Sequence, residues 1–140
     1  MEERVMRIDP SNRVEVYREL RKWFSNRRHW RKGQLATVRN SRNEYGFHWH
    51  GFDHGVVSTC LLGGFEKVLS TGHLQDDVLQ PLVDCIPENQ RIGSGLEIIP
   101  PNQARIMDWN DRRDVHFVDI QQAIDCALSN LESQSEENSI

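Results

Sequence analysis

Ala104-Arg105-Ile106-Met107-Asp108-Trp109-Asn110-Asp111-Arg112-Arg113-Asp114-Val115-His116-Phe117-Val118 is the stretch on which the fold class turns. Its apolar residues fall into two short groups, Ala104 to Trp109 and Val115 to Val118, parted by the polar run Asn110 to Asp114. That pattern predicts two strands joined by a polar connection. Leu96-Glu97-Ile98-Ile99 precedes them across a turn at Pro100-Pro101-Asn102-Gln103, which makes a block of three strands.

A block of the same outline, but without a shared sequence period, lies toward the N-terminus. Gln34 to Arg39 reads as a strand, and Asn40-Ser41-Arg42-Asn43 as a turn. Glu44 to His50 alternates, with Tyr45, Phe47 and Trp49 on one face and Gly46, His48 and His50 on the other. After a turn at Gly51 to Gly55, Val56 to Leu62 reads as a third strand, broken by Gly63-Gly64. Helical periodicity flanks and separates these blocks. Val16, Tyr17, Leu20, Trp23 and Phe24 share one face of a helix that starts at Asp9-Pro10 or, with a capping box, at Asn12 and Glu15. Extending this helix past Asn26 would carry Arg27 and Arg31 into the apolar stripe, so it ends near Ser25-Asn26. Val78, Leu82, Cys85 and Ile86 form a central stripe. Pro81 is tolerable only in a first helical turn, so this helix is firm from about Pro81 and stops before Pro87. Asp119 and Gln122 cap a last helix with Ile120, Ile124, Ala127, Leu128 and Leu131 inward.

The expected architecture is therefore a single α+β domain over residues 1–131. It has a mostly antiparallel sheet of about five or six strands, with N-terminal, central and C-terminal helices. Residues 132–140 read as a flexible acidic and polar tail. A chain of 140 residues supports one core of ordinary size. No apolar run reaches the roughly 20 residues of a membrane span. The first eight residues lack a signal-peptide core, so a cytoplasmic protein without a membrane partner is expected. Cys60, Cys85 and Cys126 are odd in number, far apart and without a CxxC pair. They read as inert buried thiols rather than a disulfide framework or a thiolate zinc site. Gly63-Gly64 and Gly93-Ser94-Gly95 match neither a P-loop nor a dinucleotide fingerprint.

A net charge of −4 hides a sharp asymmetry. Residues 13–42 hold ten Lys or Arg against two Glu, a local +8, whereas residues 43–140 carry −11. Such a split suits a basic surface for an acidic partner, or a basic element docked on its own acidic half. Within the basic part, Trp23-Phe24-Ser25-Asn26-Arg27-Arg28-His29-Trp30-Arg31-Lys32-Gly33 interleaves rings with cations. Arg21, Lys22, Arg27, Arg28, Trp30, Arg31 and Lys32 are the candidate residues for contact with a partner or a nucleic acid. Cations displace phosphate counterions and planar groups stack on bases, while Arg and Trp also anchor protein interfaces.

A second candidate site is the histidine cluster. His48 and His50 share a strand face, and His54 or Asp53 could add a third ligand from the following turn. Such a set would take a divalent metal such as zinc, and an open coordination position would activate water for hydrolysis. The string is similar to the HxHxDH signature of metallo-β-lactamase-fold hydrolases. It departs by one inserted residue, and the chain is too short for that fold.

Three functions follow in order of expectation. The first is a small regulatory or inhibitory binding module acting through protein–protein contacts, with the electrical layout of an immunity or inhibitor protein, and not an enzyme. The second is a metal-dependent hydrolase at His48, His50 and His54. The third is a nucleic-acid binder using residues 18–32.

Overall fold

The computed structural model describes residues 8–33, 36–39, 45–46, 56–69, 74–90 and 101–138. In chain order it contains helix α1 (Arg13–Trp23), a single 3-10 turn (Arg27–His29), strands β1 (Ala36–Arg39), β2 (Tyr45–Gly46) and β3 (Val56–Thr59), and helices α2 (Leu61–Val68) and α3 (Asp76–Asp84). A second 3-10 turn (Glu88–Gln90) precedes helices α4 (Pro101–Asp111) and α5 (Phe117–Asn138). The described residues are mostly helical, which overturns the expected α+β architecture built on a sheet of five or six strands. The strands described form one small antiparallel patch in the order β2-β1-β3, with a register shift between Thr37 and Val38.

The decisive stretch is helical. Pro101 opens α4 at the position where a missing N–H costs nothing. The buried residues Asn102, Ile106, Trp109 and Asn110 follow helical spacing. The expected strand Ala104 to Trp109 is therefore the body of α4. Val115 belongs to the short α4–α5 connection, while Phe117 and Val118 begin α5. The expected strand at Leu96 to Ile99 lies outside the described residues.

Strand β3 also ends earlier than expected, at Thr59, and the chain turns directly into α2 through Cys60. Gly63-Gly64 does not break an element but lies inside this helix. Gly64 is there because α1 comes so close. A Cβ at this position would sit 2.5 Å from Cε2 and 2.7 Å from Cζ of the fully buried Phe24, and 3.0 Å from Cδ1 of Leu20. The helix forgoes some intrinsic propensity for that approach.

Helix α3 starts at Asp76 and carries Pro81 in its interior rather than near its start. Two side chains of α1 repair the ladder. Pro81 cannot donate to the Asp77 carbonyl, and Arg13 Nη1 donates to it instead, at 3.3 Å. One residue on, the Tyr17 hydroxyl donates to the Val78 carbonyl (2.7 Å) and accepts from the Leu82 amide (3.0 Å). It bridges two groups that one i→i−4 bond would otherwise join, the recognised way for a side chain to enter a helix at a kink. Burial pushes the Tyr17 phenol well above its ordinary range, so it stays neutral.

The terminal helices follow their apolar stripes. Asn12 caps α1, accepting from the Glu15 amide, and the helix stops at Trp23, close to the expected end. Asp9 instead holds the preceding turn through the amide and hydroxyl of Ser11. In α5, Ile120, Ile124, Ala127 and Leu131 are buried as expected. Asp119 acts from the third helical position, accepting from the His116 amide at 2.8 Å, rather than as the cap itself. The core sits where α1 packs on α2 and α5, and where α3 and α4 close the other side. Tyr17, Phe24, Phe65 and Trp109 are its largest members.

The cysteines depart from expectation. Cys85, at the C-terminal end of α3, is disulfide-bonded to Cys126 in the middle of α5, with Cα atoms 6.0 Å apart. The two lie 41 residues apart in sequence, and no local spacing announces the pair. Cys60 is free and buried.

Candidate functional site

The basic segment begins where α1 runs out of apolar positions. Asn26 caps the 3-10 turn by accepting from the Arg28 amide at 3.0 Å, and Trp30 leaves the turn in extended conformation beside β3. The Arg31 amide donates to the Thr59 carbonyl at 3.1 Å, so the segment is stitched to the strand rather than hanging free.

Four of the seven cations between Arg18 and Lys32 are engaged. Arg21 pairs with Asp125 of α5 at 2.8 Å, and Lys22 with Glu19 at 3.0 Å. Arg18 pairs with Glu15 and reaches Glu132 at 3.6 Å. Lys32 donates to the Arg112 carbonyl and lies 5.7 Å from the centroid of the Trp30 ring. Arg31 is half-buried, and its Nε has no hydrogen-bond partner among the described residues. Arg27 and Arg28 differ. Both are exposed, and neither makes an ion pair among the described residues.

The aromatic residues hold the turn from behind. His29 stacks on Trp23 with centroids 3.8 Å apart and planes 11° from parallel, and its Nδ1–H donates to the Trp23 carbonyl at 2.6 Å. Trp23 Nε1 donates to Thr59 Oγ1 at 2.9 Å, and the buried Lys67 ammonium lies 4.4 Å from the Trp23 ring centroid. Trp30 Nε1 donates to Asn110 Oδ1 at 2.7 Å.

Asn110, fully buried in α4, is the junction of this region. Its Oδ1 also accepts from the Leu61 amide, the first residue of α2, at 3.0 Å. Its Nδ2 donates to the Arg31 carbonyl (3.1 Å) and to Asp111 Oδ1 (3.0 Å). Every hydrogen-bonding capacity of the amide is used, so one side chain ties the basic segment, α2 and α4 together. Gly33, at φ 79°, completes the seam by donating its amide to Asp111 Oδ1 at 2.8 Å.

The structure thus brings Trp30, Arg31 and Lys32 against α4 and the α4–α5 connection, and leaves Arg27 and Arg28 facing water. Asn110 and the connection at Arg112 escape a sequence reading because they read as the polar connection between two strands. The only available signal was the helical spacing of Asn102, Ile106 and Asn110. His48, His50, Asp53 and His54 lie outside the described residues. Among the described residues no group of three or more His, Cys, Asp or Glu is placed to hold a metal. Cys60 makes a poor nucleophile. It is buried at the start of α2, where its sulfur accepts from the Gly63 amide at 3.3 Å, and burial pushes its thiol up to about 11.

No known protein family, curated protein or solved structure matches this chain. Among the described residues no helix is long and apolar enough to cross a membrane.

Proposed function

We propose that this is a small cytoplasmic binding module that acts through protein–protein contacts, docking an acidic partner surface on the Arg27–Arg28 turn. One observation carries the reading: these two guanidinium groups are exposed without an ion pair among the described residues, on a turn fixed by the Trp23–His29 stack and the Trp30–Asn110 bond. A turn held by these contacts under two exposed cations lowers the ordering cost of binding. The partner is a protein in this reading because the rings that would serve as base-stacking platforms are committed inward. Trp23 is bonded to Thr59 and covered by His29, and Trp30 is bonded to Asn110.

The test is affinity capture from nuclease-treated extract with the wild-type protein and with R27E/R28E as baits. Any captured protein is then purified and its affinity measured for both. The expected result is a partner with an acidic surface that binds the wild type, with binding weakened roughly 100-fold or more by the charge reversal. If capture disappears on nuclease treatment, and oligonucleotides bind with a steep salt dependence that R27E/R28E abolishes, the nucleic-acid reading replaces this one.

A further inference from the structure

The Cys85–Cys126 disulfide is the feature that the proposed binding role leaves unused. It closes a 41-residue separation between the end of α3 and the middle of α5. A cavity of about 310 Å³ opens beside it, lined by Gln90, Trp109, Asp114, Gln122 and both cysteines. Cys126 is exposed, and Cys85 is partly so. Asn130 Nδ2 approaches both sulfurs, at 3.6 Å from Cys85 and 3.9 Å from Cys126. The seam around the bond is also packed by apolar side chains. Val78, Leu79, Leu82 and Val83 of α3, and Ile120, Ile124, Ala127 and Leu131 of α5, are buried in the same core.

We infer that Cys85–Cys126 is a reversible thiol–disulfide exchange site on a fold that keeps its shape in both redox states. The reductant is a dithiol. Its thiolate enters from the cavity side and attacks the Cys126 sulfur, breaking the protein S–S bond and forming a mixed disulfide. Cys85 leaves as a thiolate and takes a proton. The reductant's second thiol then displaces Cys126, which also leaves with a proton, and the reductant departs as its own disulfide. Two electrons and two protons pass to the protein, and the reverse sequence restores the bond. Asp84 and Asp125 adjoin the two cysteines in sequence, and Asp114 and Asp119 line the cavity. Asp114 is offset by Arg112 and Asp125 by Arg21. The Asp119 carboxylate on the cavity wall disfavours an anionic monothiol, so a neutral dithiol is the better partner.

The experiment equilibrates native protein in mixtures of reduced and oxidised dithiothreitol, traps free thiols by alkylation and maps the peptides by mass spectrometry. The expected result is a single two-electron transition confined to Cys85 and Cys126, with Cys60 unlabelled until denaturant is added. The reduced form stays folded with a melting temperature lower by roughly 10 °C, and reoxidation restores it. The Cys85→Ser/Cys126→Ser variant should match the reduced form and ignore the redox buffer. If that variant fails to fold, the wild-type titration still decides. Two results would overturn the inference: Cys85 and Cys126 labelled even in the most oxidising mixture, or a bond that opens only after the protein is denatured.

Discussion

Helix α2 is held from two sides by opposite means. Toward α1 the contact is dry and steric, with Gly64 pressed against Phe24 and Leu20. At its N-terminus the contact is polar and directional, with the Leu61 amide bonded to Asn110, which also holds Trp30 and the Arg31 carbonyl. The dry contact sets how near two helices lie and tolerates no added volume. The polar one sets orientation, because every member needs its partner at a defined angle. The candidate surface at Arg27–Arg28 depends on the polar side.

The largest expected effect therefore falls on Asn110. Asn110→Ala leaves the buried Leu61 amide and the half-buried Trp30 indole N–H and Arg31 carbonyl without their partner, costing about 3–5 kcal/mol. Asn110→Asp keeps the two acceptor roles but cannot donate to Arg31, and it sets a second carboxylate beside Asp111. Its loss should be smaller than that of the Ala variant. Urea denaturation of the three proteins checks the order. Equal losses for Ala and Asp would mean that the amide serves only as filling, and the contrast with Gly64 would collapse.

Gly64→Ala is the matching test on the dry side. The added methyl meets the fully buried Phe24 ring, and the expected cost is about 2 kcal/mol despite the better helix propensity of alanine. Pairing it with Phe24→Leu should recover part of the loss if the clash is the cause. A stabilised single variant would show that α1 can retreat and that the approach is not tight.

These two contacts also mark where sequence reading succeeded and failed. The stripes of α1 and α5 were legible because their inward positions are nearly all apolar, so the helical period stands out. Helix α4 was not, because two of its buried positions, Asn102 and Asn110, are polar and read as turn or connection residues. Counting them as inward completes the helical spacing. Helix α2 was hidden by Gly63-Gly64, whose packing reason lies on α1 about forty residues away. Pro81 misplaced the start of α3 for the same kind of reason: the groups that repair its ladder, Arg13 and Tyr17, are distant in sequence. Of the candidate site, the basic run was plain in sequence. Which of its members are spent was not, since the partner of Arg21 is Asp125, 104 residues on.

The smallest effect expected is electrostatic and also lies on α2. Glu66 is half-buried, and burial pushes its carboxyl up to about 7 from a model-compound value of 4.5. The folded state thus holds this proton more tightly than the unfolded chain. Stability from this group is complete below about pH 4.5, declines as pH rises, and is lost above about pH 7. Water screens a half-exposed carboxylate, so the change should be below about 1 kcal/mol. Glu66→Gln removes the titration while keeping the shape. Melting curves from pH 5 to pH 8 should therefore show a shallower decline in the variant, with Glu66→Gln the more stable protein at the alkaline end. Parallel curves would show that the carboxylate is solvated in the folded state. The helix would then respond to volume on its dry side and to hydrogen bonding at its N-terminus, but not to charge in between.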